Sequence, residues 1–128
     1  MNKDHELNVK KTKCIVWGAG SAFSRLYPRA SFSFDLLVDS DPVKWGNLLY
    51  GHRVCDPSIL ADIARDENLV VFVYSTYYES VRKDARKLGV FACVDAVSSI
   101  LRLSRESELR AMFKALPLIK GQTVSIVP

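Results

Sequence analysis

The sequence predicts a single doubly wound α/β domain, with a mainly parallel sheet and helices on both faces. Three observations carry this. Short apolar runs of strand length alternate with stretches of helical spacing, the order that builds strand-helix-strand units. The runs "CIVWG" (14–18), "FDLLVD" (34–39), "LVVFVYS" (69–75) and "VFACVDA" (90–96) are nearly continuous in apolar residues, as strands buried on both faces are. The chain has 128 residues, 48% of them hydrophobic and 25% charged, which is the length and composition of one core-forming domain.

The elements follow in order. Run 14–18 ends in Gly18, the sign of a buried strand entering a tight turn. "SAFSRLY" (21–27) puts Ala22, Phe23 and Leu26 on one helical face, and Pro28 cuts that helix early because it lacks an N–H and crowds the preceding turn. The second strand has Leu36, Leu37 and Val38 in succession. Asp41 before Pro42 reads as an N-cap with proline at the first helical position, and Gly46 ends the turn. "LLYGHRV" is a small extended piece broken at Gly51. Asp56 and Pro57 repeat the helix start, with Leu60, Ile63 and Ala64 facing inward. Run 69–75 is the most apolar strand and is expected at the centre of the sheet. Thr76 and Glu79 have capping-box spacing, Val81, Ala85 and Leu88 form the apolar stripe of the next helix, and Gly89 stops it. "VSSILRL" and "ESELRAMFKAL" look helical, Pro117 marks a break, and "QTVSIV" is strand-like. Residues 1–12 thus read as a polar tail and 13–96 as the core. Residues 97–128 read as a helical extension with an edge strand or the start of a following domain.

The bulk chemistry excludes several classes. The net charge is +4, but the basic residues are scattered: Lys10 and Lys11 lie in the tail and Lys13 at its junction with the core, and Arg82, Lys83, Arg86 and Lys87 share one helix with Asp84. That is more often the pattern of a solvated face than of a nucleic-acid groove, and nucleic acid is kept as a minor reading. No apolar run approaches the ~20 residues that span a bilayer, so no membrane partner is expected. The N-terminus "MNKDHELNVKKTK" lacks the apolar stretch of a secretory signal, and a cytoplasmic location is expected. Cys14, Cys55 and Cys93 are an odd number at wide spacing, which argues against a disulfide framework or a zinc site, and Cys14 and Cys93 read as core residues. His52 follows a glycine with no second histidine nearby and His5 lies in the tail, so no metal is expected.

The stretch "WGAGSAF" carries the chemistry. Dinucleotide-binding loops read GxGxxG: one glycine turns the chain, the next lets backbone approach a pyrophosphate, and the last lets helix pack on strand. Gly18 and Gly20 fill the first two places, and Phe23 stands in the third. The backbone of Gly18, Ala19, Gly20, Ser21 and Ala22 is the candidate phosphate cradle. Asp39 lies nineteen positions beyond Gly20 at the end of the second strand, the place of an acidic residue that bonds a ribose hydroxyl. Its other reading is a surface turn residue. Ser40 and Asp41 lie at the adenosine rim, Asp41 reading first as a helix cap. Ser75, Thr76 and Tyr77 sit at the end of the most apolar strand, on the crevice edge where such sheets bind ligands, and Thr76 also reads as a cap. Trp45 either covers a base or packs against the sheet edge.

Catalytic signatures are missing from the sequence. Tyr78 and Arg82 have the tyrosine-x-x-x spacing of short-chain reductases, with arginine in place of the required lysine, and GxSxG and HExxH do not occur.

The segments "IVWGAGSAFSRLYP", "LLVDSDPVKWGNLLYGHRVCDPSIL" and "VVFVYSTYYESVRKDARKLGV" together resemble the small Rossmann-like modules of bacterial cell-surface polysaccharide and sugar-modifying proteins, where they are attached to methyltransferases, glycosyltransferases and sugar-nucleotide enzymes. The resemblance covers roughly residues 13–95, with "VDSDPVKWG" its most distinctive piece. It implies a non-catalytic module that binds NAD(P) or, second, a nucleotide sugar through Gly18, Gly20 and Asp39, with S-adenosylmethionine further behind. It also implies that the chemistry belongs to an attached catalytic domain. A small enzyme completed by dimerisation, as a homodimer, is a separate reading, for which the sequence offers no candidate pair. The alternative is a protein-interaction domain whose pocket is filled by Phe23.

Overall fold

The structure, a computed structural model, describes residues 10–115. The expectations for the N-terminal tail, for Pro117 and for the strand-like "QTVSIV" concern residues wholly or largely outside these.

Strand β1 (Thr12–Trp17) leads into helix α1 (Ser21–Leu26), which tightens into a 3-10 turn at Tyr27–Arg29. Pro28 ends the helix there, as its missing N–H requires. Strand β2 (Leu36–Val38) is followed by a 3-10 turn at Pro42–Lys44. β3 (Leu48–Leu49) and β4 (His52–Cys55) come next, then a 3-10 turn at Pro57–Ile59 running into α2 (Leu60–Asp66). Asp41 and Asp56 cap their turns through their own side chains, accepting from Val43 N–H at 3.0 Å and Ser58 N–H at 2.9 Å. β5 (Asn68–Val73), α3 (Tyr78–Lys87), β6 (Ala92–Asp95) and α4 (Ala96–Ala115) complete the described chain. The two helical segments expected after Val97 form this one continuous helix.

The sheet runs β3-β4-β2-β1-β5-β6, and every pairing is parallel except β3 with β4. Counting only parallel strands in chain order, this is three-two-one-four-five, the doubly wound Rossmann arrangement. Two expectations are corrected. β5 is interior but second from the edge, and β1 holds the centre, because β2 and β4 stack on its far side. "LLYGHRV" is a hairpin whose second strand joins β2 as the third parallel strand. Its two-residue turn has Tyr50 at φ 49° and Gly51 at φ 79°, the doubly left-handed geometry that matches strand twist.

The core has two layers. On one face Ile15, Val38, Val71 and Val73 meet Leu60, Val81, Ala85 and Val90. On the other, Val16, Leu37, Val54 and Tyr74 meet Phe23 and Leu26 from α1 and Ala96 and Ile100 from α4. Phe23 is fully buried, with its ring centroid 4.9 Å from that of Tyr27, 5.2 Å from Tyr74 and 5.5 Å from Tyr50. The residue in the third glycine position therefore lies between helix and sheet, in a cluster that also holds the small Ala19 and Ala96. Cys14, Cys55 and Cys93 are half-buried and free. His52 stacks on Phe34 with centroids 4.1 Å apart.

Candidate functional site

A cleft of about 520 Å³ opens beyond the C-terminal ends of β1 and β5. This is where the strand order reverses, since β2 lies on one side of β1 and β5 on the other. Doubly wound sheets bind ligands at such a switch point because the two following loops leave in opposite directions. Of the residues expected at the site, Gly18, Gly20, Ser21, Ala22, Asp39, Ser40, Ser75, Thr76 and Tyr77 line the cleft. Ala19 does not: it is buried, and its N–H is turned toward Asp39.

The two glycines serve different ends. Gly18 has φ +117°, and a Cβ there would stand 2.4 Å from the Tyr74 carbonyl oxygen. It lets the first loop pass against the end of β5, and its N–H donates to the Val38 carbonyl at 2.8 Å. Gly20, at φ −97° and ψ −156°, is in ordinary extended backbone. The atom a Cβ would meet there is Lys44 Nζ, at 2.8 Å. A side chain at Gly20 would cover the loop without straining it.

Asp39 is 7% exposed and ties three segments together. Its Oδ2 accepts from Ala19 N–H at 2.7 Å, its Oδ1 accepts from Asp41 N–H at 2.8 Å, and Lys44 Nζ lies 3.7 Å from Oδ2. A carboxylate offers about four lone-pair positions, so one Asp39 oxygen keeps an acceptor site beyond these partners. Next to it, Ser40 Oγ accepts from the Trp17 indole N–H at 3.0 Å. The Trp45 indole N–H donates to the Asp39 carbonyl at 2.7 Å, and its ring lines a smaller cavity of about 360 Å³ with Trp17, Asp56 and Pro57. Trp45 is 37% exposed, held by its indole N–H behind the Asp39 turn, and does not line the main cleft.

The β5 side differs from expectation in one respect. Thr76 does not cap α3: the helix begins at Tyr78, Tyr77 is its N-cap, and no side chain closes it. Ser75 organises the turn instead, its Oγ accepting from Tyr77 N–H at 2.9 Å, while Glu79 pairs with Arg82 at 2.9 Å. Thr76 is thereby exposed on the cleft wall, and the Tyr77 ring, 76% exposed, stands at the mouth.

Sequence reasoning missed seven lining residues: Trp17, Arg25, Lys44, Tyr74, Ser80, Val81 and Asp84. Arg25 was legible, because it follows Ser21 by four positions, the spacing that puts two side chains on one helical face. The Tyr78 and Arg82 pair is engaged elsewhere. Tyr78 Oη donates to the Cys93 carbonyl at 3.1 Å, and burial pushes its phenol above the usual range. Burial likewise raises the Cys93 thiol. Among the described residues no group of three or more His, Cys, Asp or Glu side chains is placed to hold a metal ion, and no helix is long and apolar enough to cross a membrane.

No family model matches the chain, and no curated protein matches it. Among solved structures it is similar to UDP-D-quinovosamine 4-dehydrogenase from Vibrio fischeri, at 18% identity and a TM-score of 0.49, over 75% of this chain and 87% of that one. It is also similar to RSP, a Rex-family repressor, at 17% identity and a TM-score of 0.45, over 88% of this chain and 66% of that one. For RSP in complex with beta-NAD+ and operator DNA the values are 16% and 0.46, over 88% and 63%. The chain thus spans just under two thirds of the repressor chains. Strand order and pairing, independent of these similarities, make the chain a Rossmann-like α/β domain.

Proposed function

We propose that the chain binds a nucleotide in the cleft at the switch point, NAD(P) first and a nucleotide sugar second. In this reading the ligand's phosphates lie against the backbone of Gly20, Ser21 and Ala22, while Gly18 shapes the loop and the Ala19 N–H holds Asp39, which faces the ribose. The chain then acts as a non-catalytic cytoplasmic module of a larger surface-polysaccharide or sugar-modifying enzyme, serving an attached catalytic domain or a second copy.

The observation that carries this is the placement of the cleft. The glycine loop, the Asp39 turn and the loop after β5 converge on one crevice beyond the C-terminal ends of β1 and β5. α1 has only six residues, so its dipole contributes little, and the weight falls on backbone N–H groups and polar side chains. Phe23, whose ring would favour a filled pocket, lies in the core and not among the residues that line the cleft.

The test is calorimetric titration of the purified chain with NAD, NADP, UDP-glucose and S-adenosylmethionine, backed by thermal shift. A ligand at a hundred times its dissociation constant adds about 2.7 kcal/mol of stability, which moves the melting midpoint by several degrees. Gly20→Val, whose backbone any residue adopts, is expected to keep the fold and lose the ligand. Absence of binding by every nucleotide at millimolar concentration sinks the reading.

A further inference from the structure

Two cations stand in the cleft, Lys44 in a loose ion pair with Asp39 and Arg25 in none among the described residues. Lys44 ends the turn after Asp41, and its ammonium stands above Gly20, the atom that a Cβ there would meet at 2.8 Å. A phosphate approaching the second glycine of the loop meets this charge first. Lys44 is held by a 3.7 Å ion pair to Asp39 Oδ2, which already accepts the Ala19 N–H at 2.7 Å. The ammonium sits on a flexible four-carbon stem and can leave that pair without breaking a short hydrogen bond. Arg25 lines the same cleft from α1 and is exposed, and it makes no ion pair among the described residues. The other carboxylate on the lining, Asp84, faces Lys87 at 4.0 Å along α3.

We propose, building on the nucleotide-binding reading, that Lys44 is the residue that selects a diphosphate in this cleft, with Arg25 as the second cation. The ligand is then a nucleoside diphosphate derivative and not a nucleoside without phosphate. When Lys44 turns from Asp39 to the ligand phosphate, it exposes the Oδ2 side of Asp39 to a ribose hydroxyl. Phosphate capture and ribose recognition become one event, because the same ammonium guards both.

Calorimetric titrations at low ionic strength test this with NAD, UDP-glucose, ADP, inorganic pyrophosphate and adenosine, on the wild type, K44Q, K44R and R25Q. NAD and UDP-glucose share the diphosphate, and whichever binds tighter names its source. Loss of one charge-assisted contact predicts about tenfold weaker binding of diphosphate ligands to K44Q. Adenosine should bind the wild type at least about tenfold more weakly than ADP does, and K44Q should not weaken it, since the substitution frees Asp39 Oδ2 for the ribose. K44R should restore most of the ADP affinity, and R25Q should fall between wild type and K44Q. If nucleotides bind the wild type but K44Q binds them equally well, or if adenosine binds as tightly as ADP, this proposal falls and nucleotide binding stands. If no nucleotide binds the wild type, both fall together.

Discussion

On the face covered by α2 and α3, the sheet meets its helices mainly through Val, Ile, Leu and Ala, with the buried Trp17 ring among them and Tyr78 packed against them. On the face covered by α1 and the start of α4, the same sheet meets Phe23, Tyr27, Phe34 and Tyr74, with Phe32 and Phe72 packed against them. α1 is cut at Leu26 and carries few side chains to the sheet, so each must fill more volume. A phenylalanine ring supplies that volume, and edge-to-face contacts at 5.2 to 6.1 Å with Tyr74, Tyr50 and Phe34 hold it in place. The ring at the third glycine position thus stands in for the length the helix lacks.

The sharpest way to break this contrast is to remove one large side chain from each face. Phe23→Ala should cost about 3–5 kcal/mol, because several rings lose their common neighbour. Leu60→Ala on the aliphatic face should cost less, near 2–3 kcal/mol, because the half-buried Ile59 and Ile63 can settle into the gap. Urea unfolding of both variants decides it, and a larger loss for Leu60→Ala would contradict the account of Phe23.

The two loop glycines offer a second, smaller contrast. Gly18→Ala combines a left-handed backbone with a clash against the Tyr74 carbonyl, and should cost at least about 2 kcal/mol. Gly20→Ala should cost under about 1 kcal/mol, since only the Lys44 ammonium must move. Equal losses would mean that the loop does not divide its work in this way.

Tyr74 sharpens the aromatic face further. Its hydroxyl is buried and has no hydrogen-bond partner among the described residues. Tyr74→Phe should therefore be neutral, or stabilising by up to about 1 kcal/mol, at pH 7. Burial, with Tyr27 adding to it, pushes the phenol from its ordinary value of 10.0 up to about 12. The unfolded chain ionises first. The Tyr74 contribution is complete below pH 10 and is lost as the pH rises through about 12. Wild type should lose stability across that window by a component that Tyr74→Phe lacks, measured as the urea midpoint against pH. Parallel curves would place the alkaline loss elsewhere.

Much of the fold was legible because its punctuation is local. Gly18 and Gly89 adopt positive φ, Pro28 ends α1, and Asp41 and Asp56 cap their turns, all through chemistry confined to a few neighbouring residues. β4 was obscure because only Val54 of its four residues is buried, and because the turn before it uses Tyr50 where glycine or asparagine would announce it. At Thr76 the capping-box spacing was present, but Ser75 took the turn and α3 began later. In the site, the position of Asp39 was readable from its spacing. Its bond to Ala19 and its pairing with Lys44 were not, since they depend on how three loops meet in space.

The two tryptophans of the chain hold neighbouring anchor points, the Trp17 indole on Ser40 and the Trp45 indole on Asp39. Any molecule that disturbs those two residues changes the polarity around both emitting rings at once. The domain therefore carries an unlabelled optical reporter at the floor of its own cleft. A single substitution, Trp45→Phe, would leave Trp17 to report alone from the lining.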